Sequence, residues 1–182
     1  MEFSVQTANP AKAETACLVL PVYKGSDLLP AVAKLDDASE RLIGQLLERG
    51  DFDAVLGNTQ LVPFAPGLGA DRILLVGLGE RDKCQEAAFI KALDAAMTAL
   101  TKLPIDEACA TFTDVPLADR DAAWKARKTL EAVERAVYRF DQFKSSPAKA
   151  PSLAKLTLIV SDANDAPLAM QGAALGLSLI HI

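Results

Sequence analysis

Short, continuously apolar runs alternate along this chain with longer stretches of helical periodicity. "ACLVLPVY" (Ala16 to Tyr23) and "RILLVGLG" (Arg72 to Gly79) have no polar face. They predict central strands buried on both sides, with Pro21 near a strand end because proline cannot donate to a ladder. "EFSVQTA" (Glu2 to Ala8) alternates loosely, as a half-exposed strand does. Leu28, Val32, Leu35, Leu42 and Leu46 fall on one stripe, with Ile43 and Leu47 beside it, and predict one long first helix. Ser26 or Asp27 can cap it, Pro30 fits its first turn and Gly50 stops it. "AVLGNTQLVPFA" predicts two strand pieces joined by a hairpin turn at Gly57 and Asn58.

Phe89, Leu93, Ala96, Met97, Leu100 and Leu103 mark a second helix, closed by Pro104. "EACATFTD" (Glu107 to Asp114) predicts a strand. A third helix opens near Asp119 or Asp121, where a carboxylate suits the positive helix end. Ala126, Leu130, Val133, Val137 and Phe140 form its inner face, and Arg127 can pair with Glu131 outside. "KSSPAKAPS" (Lys144 to Ser152) predicts an exposed loop. "LAKLTLIVSD" predicts a last strand, and Ala163 to Leu179 a helix weakened by Gly172 and Gly176. Strands interleaved with helices mean an α/β sandwich: a largely parallel or mixed sheet with helices on both faces.

The chain has 182 residues, of which 51% are apolar, 24% charged and only 5% aromatic. A core of Leu, Val, Ile and Ala follows. The formal net charge of −5 repels phosphate backbones, which weighs against nucleic acid as a partner. Cys17, Cys84 and Cys109 form no C-x-x-C, so zinc-site and redox-motif readings lack support. Cys17 and Cys109 sit in apolar runs and are expected as buried thiols in a reducing compartment. The amino-terminal stretch lacks a secretory pattern, and no apolar run approaches the ~20 residues that span a bilayer. A soluble, cytoplasmic protein without a membrane partner is expected.

Gly77-x-Gly79 after a buried strand is how a dinucleotide-binding turn begins. The third glycine of that fingerprint is missing: Asp82 stands there, preceded by Glu80 and Arg81. No P-loop lysine follows. The glycines are expected to turn the chain rather than to hold a ligand. The remaining chemistry is sparse. His181 is the single histidine and cannot anchor a triad or a metal site alone. Asp36 with Asp37, and Asp51 with Asp53, are expected on a solvated face or turn. Trp124 is expected as a packing anchor, beside a small basic cluster of Lys125, Arg127 and Lys128 that Glu131 and Glu134 dilute. No catalytic, cofactor-binding or metal-binding residue is assigned.

Taken in order, "MEFSV", "ACLVLPVY", "DRILLVGLGERD", "DAAWKARKTLEAVERAVYRFDQFKS" and "QGAALGLSL" resemble the N-terminal domain of the leucyl aminopeptidases (peptidase family M17). Tyr138, Phe140, Asp141, Phe143 and Lys144 carry much of the match. The resemblance implies a macrodomain-like three-layer sandwich over residues 1–162, with residues 163–182 starting a linker helix toward a catalytic domain. It implies a cytosolic homohexameric parent that removes N-terminal residues from peptides. Two divalent metal ions, zinc or manganese, would lie in the catalytic domain, bound by Asp, Glu and Lys. The family's Asn-Thr-Asp-Ala-Glu-Gly-Arg motif does not occur here, and "GNTQL" at Gly57 to Leu61 shares only Asn-Thr. No metal ligand or catalytic residue carries over, and the chain alone is expected to be inactive. The closing "LSLIHI" resembles translated sequencing-adapter read-through, with a natural apolar helix end as the alternative.

Two further functions stay open on the residues. A macrodomain-like module could bind ADP-ribose or another nucleotide. "FAPGLGADR" (Phe64 to Arg72) is its nearest phosphate loop, with Gly67 and Gly69 offering a nest of backbone N–H groups. A DNA-binding regulatory domain is the other, against the acidic balance.

Overall fold

The computed structural model describes residues 1–25, 27–142 and 152–180. The strands are β1 (Glu2–Thr7), β2 (Leu18–Tyr23), β3 (Thr59–Val62), β4 (Ile73–Gly79), β5 (Glu107–Ala110) and β6 (Lys155–Val160). Between and after them come the helices α1 (Pro30–Ala38), α2 (Leu42–Arg49), α3 (Glu86–Leu100), α4 (Ala122–Gln142) and α5 (Ala166–Ile180). One sheet runs β1–β6–β5–β2–β4–β3, parallel throughout except for the antiparallel edge strand β3. From β4 through β5 to β6 the crossovers step in one direction, so right-handed connections put α3 and α4 on one face. α5 packs on α4 in that layer. β2 to β4 steps the other way, which puts α1 and α2 on the opposite face. The result is the expected three-layer sandwich.

Every residue of β2 is buried, and so is all of β4 up to Leu78. Their lack of a polar face is what a strand covered by two helix layers requires. Each fully buried Leu or Ile contributes roughly 1.5–3 kcal/mol. Pro21 lies inside β2, not at its end. β5 pairs only with Leu18 and Val19, and the Thr111 N–H on the Val19 carbonyl is the last bond on that side. Alternation turns Pro21 toward the same side, past the end of β5, where no ladder donor is needed.

The long first helix is two helices. Glu40 and Arg41 have φ of 56° and 62°, a left-handed turn between α1 and α2. The Ser39 hydroxyl donates to the Leu35 carbonyl at 2.8 Å and closes α1. Among the described residues no side chain caps α1: its N-cap is Leu29, with Pro30 in the first turn, and Asp27 pairs instead with Arg81 at 2.8 Å. Ser26 lies outside the described residues. The hairpin also differs. Gly57 (φ 83°) turns the chain, but β3 begins after it and pairs with β4 across residues 63–72. The upstream piece runs without strand structure into that turn.

The strand predicted to Asp114 stops at Ala110, and Phe112–Asp114 is a 3-10 turn with Phe112 fully buried. Asp121 opens α4 by accepting the Trp124 N–H at 2.9 Å. Phe143, most of the predicted loop Lys144 to Ser152, and His181 lie outside the described residues, as does the Phe140 side chain. No helix among the described residues is long and apolar enough to cross a membrane.

Candidate functional site

Open parallel sheets present ligands with the crevice at the carboxyl ends of their strands, where neighbouring crossovers diverge. Here β2 and β5 diverge. The polar groups gathered beside that point come from the turns after β5 and β6 and from α4. Asp114 accepts the Ser161 hydroxyl at 2.6 Å and the Ser161 N–H at 3.2 Å. The buried Lys125 donates its Nζ to the Thr113 carbonyl at 3.1 Å. Burial pushes the Asp114 carboxyl above its ordinary range, against the Ser161 bonds and the Lys125 charge. Burial also pulls the Lys125 ammonium down, against the charges of Asp165, Asp114 and Asp121. The cluster ties two strand exits to the first turn of α4, and its lysine is already committed to a backbone oxygen.

Lys125 thus leaves the basic cluster predicted for it. It falls on the α4 stripe with Ala122, Ala126 and Thr129, all buried. That i, i+3, i+4, i+7 spacing is the signal that could have placed it inside. Arg127 and Lys128 both pair with Glu131, at 3.3 and 2.8 Å. A shallow cleft of about 390 Å³ borders the carboxyl ends of β1 and β6, lined by Thr7, Asn9, Pro30, Lys34 and Ser161. Its Asn9 side chain is occupied by the Ala11 N–H at 3.0 Å, and Ser161 by Asp114.

The Gly69, Gly77 and Gly79 amides are each spent within the chain. The Gly77 N–H donates to the Asn58 carbonyl at 2.8 Å, and the Gly79 N–H to the Ala54 carbonyl at 3.0 Å. A Cβ on Gly77 would collide with the Val55 carbonyl, and Gly79 has φ 73°. In the Phe64 to Arg72 loop, the Gly69 N–H donates to the Ala11 carbonyl at 3.0 Å. A Cβ on Gly67 would collide with the Ala38 carbonyl. Gly67, Gly69 and Gly77 bring backbone against backbone, and Gly79 supplies a left-handed turn, which gives each a structural reason.

Of the two carboxylate pairs, one separates. Asp37 is exposed, but Asp36 is buried, which corrects the solvated face expected for it. Its carboxylate accepts the Gly44 N–H at 2.9 Å and so caps α2 from the preceding helix. Asp53 stays in its exposed loop and accepts from Val55 N–H and Asn58 Nδ2, both at 3.2 Å. Asp51 is likewise exposed. Trp124 packs its ring 5.8 Å from Phe89, with Arg120 5.3 Å from its centroid, as an anchor does. Cys17 and Cys109 are buried and Cys84 half-buried. Burial pushes the Cys17 thiol up to about 12. Among the described residues, no group of three His, Cys, Asp or Glu side chains is placed to hold a metal ion.

A Chromohalobacter salexigens protein named probable cytosol aminopeptidase is 67% identical over 179 residues, 98% of this chain and 35% of its own length. The chain therefore spans about a third of the length of that relative. Among solved structures, a tomato leucine aminopeptidase variant matches with a TM-score of 0.75 at 17% identity, over 100% of this chain and 36% of its own. A Trypanosoma brucei macrodomain in complex with ADP matches with a TM-score of 0.69 at 9% identity, over 94% of this chain and 68% of its own. At those identities both share the fold. The model of the cytosol aminopeptidase family, N-terminal domain, matches residues 19–147. With that match over more than half its length, the chain belongs to the cytosol aminopeptidase family, as its N-terminal domain.

Proposed function

We propose that this chain is the non-catalytic N-terminal part of a metal-dependent aminopeptidase that removes N-terminal residues, leucine favoured, from peptides. One observation carries the reading: 67% identity over 98% of the chain against only 35% of the relative's length. Two divalent ions, zinc or manganese, belong to the remaining part. They would activate a water and polarise the scissile carbonyl there. The described residues do not fit such a pair, since they assemble no ligand group. No catalytic, cofactor or metal residue is assigned to this chain, and no step of hydrolysis runs through it.

In this reading residues 1–162 form the domain and residues 163–182 lead to the catalytic part. The outward side of α5 supports a covering partner. Leu168, Met170 and Leu175 are exposed there, and no charged residue occurs from residue 166 to residue 182. The parent is a cytoplasmic homohexamer in which this domain shapes assembly and access. ADP-ribose binding is not favoured, because the Gly69 amide of its phosphate loop is already bonded. DNA binding is not favoured either, because Arg127 and Lys128 are already paired with Glu131 on a chain of net charge −5.

Turnover of leucyl-p-nitroanilide with added manganese or zinc tests the proposal. The chain alone stays at background, and the chain extended through the rest of its gene is active. Metal-dependent turnover that co-purifies with the 182-residue chain would overturn it.

A further inference from the structure

β3 closes one side of the sheet, and among the described residues no strand pairs with its outer edge. The Asn58 carbonyl accepts from Gly77, so alternation turns the backbone groups of Gln60 and Val62 toward β4 as well. Those of Thr59 and Leu61 face outward. Such a row of free N–H and C=O groups is a template for one more strand, and proteins usually blunt it with charge. Charge does not blunt this edge. No charged residue occurs from residue 54 to residue 70, in a chain that is 24% charged. Val55, Leu61 and Phe64 are exposed there at 42%, 37% and 74%. The opposite edge, β1, contains Glu2, and its own Phe3 and Val5 are partly covered.

We propose that β3 is an interaction edge that pairs antiparallel with β3 of a second copy of this chain. A two-fold axis through the edge at Gln60 sets Thr59 of each copy opposite Leu61 of the other, an isologous contact. Electrostatics selects this segment. Two chains of net charge −5 repel each other, and they meet at least cost where both surfaces are neutral. A strongly charged peptide would find no complementary charge on the edge. The apolar side chains lie on the same segment, so the two Leu61 side chains become diagonal neighbours across the axis when the strands join. Pro63 has no N–H and ends the donor row after Leu61. A strand of four residues flanked by Phe64 buries less than the ~1,600 Å² of a standard interface, so the association is weak and concentration-dependent.

Sedimentation equilibrium of the full chain over a concentration series is the test. The average mass rises from one chain toward two. Leu61→Lys places like charges across the axis and weakens the dimer by about tenfold or more, with an unchanged melting curve because Leu61 is exposed. Leu175→Glu on the outward side of α5 leaves the dimer intact. Amide exchange of the unsubstituted protein gives an independent readout: the Thr59 and Leu61 amides become protected as concentration rises. A monomer at every concentration, a dimer indifferent to Leu61→Lys, a dimer dissolved by Leu175→Glu, or amides at 59 and 61 that exchange alike at all concentrations would each overturn the proposal.

Discussion

Two pairs of glycines invite opposite interpretations in the sequence and have much the same job in the fold. Gly77 and Gly79 close β4 in the way a dinucleotide turn begins, so they suggest a ligand. Gly172 and Gly176 interrupt α5, so they suggest weakness. In both places one backbone comes close to another. A Cβ on Gly77 would collide with the Val55 carbonyl, and a Cβ on Gly172 with the Ala123 carbonyl of α4. Glycine spacing reports that something approaches closely, not what approaches. Free amides would distinguish a ligand site from a packing site, and the Gly77 and Gly79 amides are both bonded within the chain. The pairs differ in their second members. Gly79 is held by its backbone angle of 73°, whereas Gly176 faces only side chains.

The largest effect is expected at Gly172. The obstacle there is α4 backbone, which cannot rotate aside, so Gly172→Ala must separate the two helices. Overpacking of this kind costs about 3 kcal/mol. Alanine's higher helix propensity returns about 1 kcal/mol. A net loss of roughly 2 kcal/mol should appear in urea unfolding. An unchanged midpoint would mean that α5 rides loosely on α4, and the likeness between the two glycine pairs would fail.

Gly79→Ala is expected to cost about 1–2 kcal/mol, the penalty of a left-handed angle for a residue with a Cβ. The nearest neighbour, Leu56 Cβ at 3.3 Å, adds little because a shift of a few tenths of an ångström restores ordinary contact. Calorimetry with NAD or ATP should show no binding before or after the substitution. Micromolar binding that Gly79→Ala abolishes would restore the ligand interpretation of β4.

The elements legible in the sequence are those set by local periodicity. β2 and β4 stand out because burial on both faces leaves them no polar position, and α3 because Phe89, Leu93, Ala96, Met97 and Leu100 keep one stripe. What escaped depends on groups that meet across the chain. The apolar stripe of α1 continues in phase into α2, so only the backbone angles of Glu40 and Arg41 reveal the break. Asp36 looks like a surface carboxylate until the Gly44 amide, eight residues on, is placed against it. β3 was expected to pair upstream because its true partner lies beyond a loop of ten residues, 63–72. Lys125 was grouped with its charged neighbours although its helical position already faced inward. The family resemblance was legible because several ordered segments carried it together. The region near the strand exits offered no motif, because Asp114, Lys125 and Ser161 come from three separate elements.

The smallest effect is expected at Gly176, and it separates backbone contact from side-chain contact within one helix. A Cβ there would lie 2.9 Å from Leu130 Cδ2 and 3.4 Å from Arg127 Cγ. Both are parts of side chains that can change rotamer, unlike the Ala123 carbonyl. Moving Leu130 is not free, because it is fully buried and its neighbours must yield; an added methyl in a packed site costs about 1 kcal/mol at the low end of the overpacking range. Replacing a helix-interior glycine with alanine returns about the same amount. Gly176→Ala should therefore unfold within about 1 kcal/mol of the parent chain. Set against Gly172→Ala, four residues earlier on the same face, the gap should exceed 1 kcal/mol, measured on both variants under identical conditions. Equal losses at the two positions would show that α4 and α5 are held apart by one rigid seam, and that the nature of the facing atom does not decide the cost.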